Sequence, residues 1–165
     1  MLLSEALLSL SPDEFGSLVR GVSIGKLKTY QMYETFKARA HLGKLNTETM
    51  RKAIPRFRAR LEEKDEEFAQ DLAQAMLLTH MDLILAVLEF LGIPNQNGFF
   101  AKNLDASAWL TSGWQQRVHD QFRDKFPEPA LLLYINHLAW ELDKSAGGFL
   151  PGGDSGSASQ VTTTP

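Results

Sequence analysis

Apolar residues recur along this chain at intervals of three and four, and no stretch alternates with period two long enough to build a strand. The pattern predicts an all-α protein, a single irregular bundle of about six or seven helices. A first helix falls near Leu3–Leu10. Ser11-Pro12-Asp13-Glu14 then has the form of a capping box, with a hydroxyl at the N-cap, proline at the first position and a glutamate that reaches back. The helix it opens should end near Gly21. Another, from Lys26 to about Leu42, should stop at Gly43. The next begins at Asn46-Thr47 and sets Met50, Ala53, Ile54, Phe57 and Leu61 on one face. Pro55 lies inside it and is predicted to kink it or to open a second helix.

The dominant element predicted is a central helix over 65–91. At about 100° per residue, Asp71, Ala75, Thr79, Asp82, Ala86 and Glu89 share one narrow polar stripe. Nearly everything else from Met76 onward is apolar, so the helix should be surrounded on most sides. Gly92 and Pro94 end it, and Asn95-Gln96-Asn97-Gly98 reads as a turn that returns Phe99-Phe100 to the core. A helix is predicted from Thr111 to Lys125, with Leu110, just before it, and Trp114, Val118 and Phe122 at four-residue steps. Pro127 and Pro129 mark a joint, and a last helix runs from about Pro129 to Lys144. Its core face is Leu131, Leu132, Ile135, Leu138, Ala139 and Leu142, while Leu133, His137 and Trp140 form a second stripe on the other side. From Gly147 the composition turns to Gly, Ser, Thr and Pro, so the helical domain is expected over 1–146 and a disordered tail over 147–165.

Charge changes the picture more than overall composition does. The chain of 165 residues has a net charge of only −3. Residues 20–64 nevertheless hold twelve Lys and Arg against four Asp and Glu, whereas 65–165 hold five against thirteen. The basic part should either complement the acidic part or face water. The absence of cysteine excludes disulfides and thiolate chemistry. The apolar run Met76–Leu91 is short for a bilayer span and is broken by His80, Asp82 and Glu89, so a soluble, cytoplasmic protein with no membrane partner is expected.

Catalytic signatures are sparse. The chain has no phosphate-binding glycine loop, no nucleophile elbow and no zinc-binding His-Glu helix, and no cofactor or metal is expected. His80 lies opposite the polar stripe and reads as a core histidine; as a ligand or base it would need Asp120 or His137 nearby. His119 reads as solvated, and His41 as a favourable charge at a helix C-terminus. Arg51, Lys52, Arg56, Arg58 and Arg60 form a candidate anion-binding group, but Pro55 and the pI of about 5.8 argue against a DNA-reading helix. The sequence favours a non-enzymatic interaction or adaptor protein that binds a protein partner or itself through Leu133, His137 and Trp140. Second comes a nucleic-acid or polyanion binder using segment 20–64, and third a small helical enzyme or metalloprotein centred on His80.

Overall fold

A computed structural model describes residues 2–19 and 47–151, with side chains from Ile54 onward in the second of these segments. The helix expected between Lys26 and Leu42, its Gly43 cap, His41, the side chains of Arg51 and Lys52, and the tail beyond residue 151 lie outside the described residues. Within them the fold is all-α. Its helices are α1 (Leu3–Leu8), α2 (Pro12–Val19), α3 (Thr47–Glu62), α4 (Glu66–Leu77), α5 (Met81–Leu91), α6 (Trp114–Phe122) and α7 (Glu128–Leu142).

Local chemistry sets the ends of these helices. Ser11 Oγ accepts from the Glu14 amide at 3.2 Å while the Glu14 carboxylate accepts from the Ser11 amide at 2.8 Å, so the capping box closes and opens α2. Asp65 caps α4 by accepting from the Phe68 amide at 3.0 Å, after a tight turn through Lys64 at φ 59°. Gly92, at φ 73°, ends α5: its amide reaches the Glu89 carbonyl and the Ile93 amide reaches that of Leu88. This is a Schellman closure, and Ile93 is buried beside it. Helix α3 runs through the exposed Pro55 as a single element, burying Ile54, Phe57 and Leu61.

The charge asymmetry has a local structural use. Helix α1 is only six residues long, too short to be stable alone. It is held at both ends. At its N-terminus the Glu66 carboxylate accepts from the Leu3 amide at 2.9 Å, from the Ser4 amide at 3.2 Å and from the Ser4 hydroxyl. Toward its C-terminus the Arg58 guanidinium donates to the carbonyls of Leu8 at 3.0 Å and Leu10 at 2.8 Å. An anion at the amino end and a cation at the carboxyl end match the helix dipole and satisfy groups the short helix cannot pair itself. Leu3, Ala6, Leu7 and Leu10 are thereby pressed onto α3, α4 and α7, where burying each leucine contributes about 1.5–3 kcal/mol.

The expectation of one long central helix holds only loosely. The 66–91 stretch is interrupted by a 3-10 turn at Leu78–His80, where Thr79 Oγ1 donates to the Met76 carbonyl at 2.7 Å and His80 leaves helical geometry at φ −120°, ψ 48°. By length and composition alone, Glu66–Leu91 would suffice to cross a bilayer, a property it shares with core helices of soluble proteins. The centre of the bundle belongs equally to α7, which is buried on almost every side and packs against α1, α2, α4 and α6. Leu110, Trp114, Val118 and Phe122 are all buried, as their spacing predicts. The ordered chain also continues past residue 146: the Asn136 side chain accepts from the Phe149 amide at 2.8 Å and donates to its carbonyl at 3.1 Å, docking this segment on α7.

Candidate functional site

The break between α4 and α5 leaves a cavity of about 100 Å³ between that joint, the loop after α5 and α7. Leu77, Ile84 and Tyr134 form its buried wall, and Leu78, Phe99 and Glu141 its exposed edge. The loop reaches the cavity through a two-residue turn. The amide and carbonyl of Gln96 pair with those of Phe99 at 2.7 and 3.1 Å, and Asn97 and Gly98 adopt φ values of 52° and 88°. Two successive positive values are those of a type I′ turn, for which Asn-Gly is the favoured pair. Space beside the glycine is tight as well. A Cβ at position 98 would lie 3.0 Å from Met81 Cε and 3.1 Å from Ile84 Cγ2. Asn95 Oδ1 accepts from the Gly98 amide at 3.0 Å and braces the turn from within the loop.

Three polar side chains of α7 meet this cavity. Tyr134 is 3% exposed, and its hydroxyl has no hydrogen-bond partner among the described residues. His137 lies one turn further along with its ring 6.4 Å from that of Tyr134 at an interplanar angle of 19°. Its Nδ1 is buried and unpartnered too, since Glu141 Oε2 stands 3.6 Å away, beyond hydrogen-bonding distance. Burial pushes the His137 imidazole down to about 4, so it is neutral at pH 7. Burial, reinforced by the charge of Glu141, raises the Tyr134 hydroxyl, which stays protonated. Partial burial raises the Glu141 carboxyl as well. Around the cavity the surface is apolar. Leu78, Leu85 and Phe99 are 42%, 43% and 58% exposed, and Leu85 lies beside Gly98.

The residues singled out from sequence are distributed differently from the expectation. Of the stripe Leu133, His137 and Trp140, only His137 reaches the cavity. Leu133 is 1% exposed and belongs to the core, because α7 is enclosed on both its apolar faces. Trp140 is half-buried and lines a separate groove with Asn136, Lys144 and Gly147. Among the described residues, Arg56, Arg58 and Arg60 do not gather around a common centre. Arg58 is committed to α1, Arg60 lies 4.4 Å over the Phe68 ring and 3.5 Å from Asp65, and Arg56 faces solvent.

His80 is half-buried at the helix break rather than a core residue, and it does not line the cavity. Among the described residues no group of three or more His, Asp or Glu could hold a metal ion. His119 is buried, not solvated: its Nε2 lies 2.7 Å from Glu128 Oε1 and its ring packs on Phe149. Sequence reading missed Tyr134 and Phe99 as site residues. The available signal was the Asn-Gly turn, which fixes where Phe99 goes. No family model, curated protein or solved structure matches the chain.

Proposed function

We propose that the protein is a non-enzymatic interaction module and that a protein partner docks on the apolar rim of Leu78, Leu85 and Phe99, inserting one side chain into the cavity beneath. The observation that carries this reading is the coincidence of rim and cavity. Two of the six exposed large apolar side chains among the described residues, Leu78 and Phe99, line the opening, and a third, Leu85, lies beside Gly98 of its lining. Scattered exposed leucines need no explanation, but apolar residues grouped around a concave site with a few polar groups are the anatomy of a binding surface. Glu141 supplies an exposed polar group at the opening, and Tyr134 and His137 form part of its wall. No nucleophile or metal-ligand set accompanies them among the described residues.

The reading is tested by affinity capture from the native cells with three baits: wild type, a Leu78→Ser/Phe99→Ser rim variant, and Arg56→Ala as a surface control. The expected result is one protein enriched by wild type and Arg56→Ala and lost with the rim variant, with helicity unchanged. An enriched set indifferent to the rim variant would contradict it. Sedimentation of the same samples distinguishes a second copy of the chain from a different partner.

A further inference from the structure

We infer that the partner meets the outer face of α5 with a basic amphipathic helix, one row of apolar side chains flanked by lysine or arginine. This deepens the docking reading and rests on it, but the charged groups of the face carry it. Asp82, Leu85 and Glu89 stand three and four residues apart on α5 and so form one outward row, which Leu78 continues across the helix break. All four are exposed, while Leu83, Ile84, Val87 and Leu88 take the buried side. The row is therefore both apolar and acidic. From Asp65 to Ala101 the chain has six Asp and Glu and not one Lys or Arg. Among the described residues neither Asp82 nor Glu89 has an ion-pair partner, and Asp82 accepts from the neighbouring Leu83 amide at 2.9 Å.

This pattern separates the occupants. An isologous pairing of two copies through the row sets acid against acid, which is unfavourable at an interface. An anionic bilayer is repelled for the same reason. An extended peptide that adds to a sheet needs a strand edge, and there is no strand among the described residues. A cationic amphipathic helix matches both halves of the row. Its apolar side chains pack beside Leu78 and Leu85, ridges into grooves, while flanking ammonium or guanidinium groups reach Asp82, Glu89 and, at the opening, Glu141. The eleven residues of α5 rise about 16 Å, or about three turns, so a short helix covers the face.

The test titrates the full chain with two helical peptides of about four turns, followed by amide and methyl NMR. Both carry leucine on one stripe; lysine fills the flanks of one and glutamate those of the other. Shifts are expected at Asp82, Leu85, Glu89 and Phe99, with the lysine peptide binding at least about tenfold tighter at low salt and the preference narrowing as salt rises. Asp82→Asn/Glu89→Gln should weaken the lysine peptide about fivefold, through two exposed ion pairs, whereas Glu62→Gln, at an exposed carboxylate on α3, should leave it unchanged. Equal affinity for the two peptides at these residues would overturn the charge inference while leaving an apolar docking surface. An equal loss in Glu62→Gln, or shifts away from α5, would overturn it as general attraction to an acidic protein. Binding by neither peptide would overturn both readings.

Discussion

Glu66 binds three donors at the start of α1, and replacing it by glutamine isolates that role, because the side chain keeps its length and loses one acceptor and the charge. Glutamine best directs its remaining oxygen to Ser4 and turns its NH₂ toward the Leu3 amide, which becomes unpaired in a place where Leu3 is 1% exposed. A lost hydrogen bond to a charged group is worth about 1.5–3 kcal/mol, and the lost charge at a helix amino end about 0.3–1 kcal/mol. The expected destabilisation is therefore about 2–4 kcal/mol, large for a single residue outside the apolar core. With a urea m-value of about 2 kcal/mol/M, the unfolding midpoint at pH 7 should fall by about 1–2 M. Hydrogen exchange at the Leu3 and Ser4 amides should accelerate in parallel. A midpoint change equivalent to less than about 0.5 kcal/mol, within the range of ordinary surface substitutions, would refute the reasoning.

Other outcomes follow from the same geometry. His137 is held near 4 against an ordinary 6.5, so the unfolded chain binds more protons between those values and stability falls as pH drops, by about 2 kcal/mol from pH 7 to pH 5. Glu141, raised by burial, contributes with the opposite sign, so the readout is the difference in pH slope between wild type and His137→Phe, which should lose the histidine's share. Gly98→Ala should destabilise by about 1–2 kcal/mol in thermal melts, through its positive φ and its close approach to Met81 and Ile84. Asn136→Ala should release Phe149, seen as faster proteolysis after residue 146 with the rest of the helical core unchanged.

Sequence legibility divided along physical lines. Local features were readable because their causes are local: the Ser11–Glu14 box and the Gly92 closure each depend on a few adjacent residues. The break at Leu78–His80 was not, because an apolar run has nearly the same periodicity whether it is α-helical or turns once as a 3-10 helix. Leu133 was misplaced for a reason already visible in the pattern. A helix apolar on two sides is enclosed, and the argument that a narrow polar stripe buries the 65–91 helix applies equally to α7. His119 appeared solvated on a helical wheel, yet Glu128 and Phe149, from elements further along, cover it. The cavity itself joins residues of 74–84, 98–100 and 134–141, a juxtaposition that exists only after tertiary packing.

The central claim, that the opening between the α4–α5 joint and α7 is where a partner engages, is tested most directly by site-specific photocrosslinking. A benzophenone side chain is placed at position 99 in one sample and at position 56 in another, and both are irradiated in extract from the native cells. The account predicts a discrete crosslinked protein from position 99 and none from position 56. A product from position 56 with none from position 99 would contradict it.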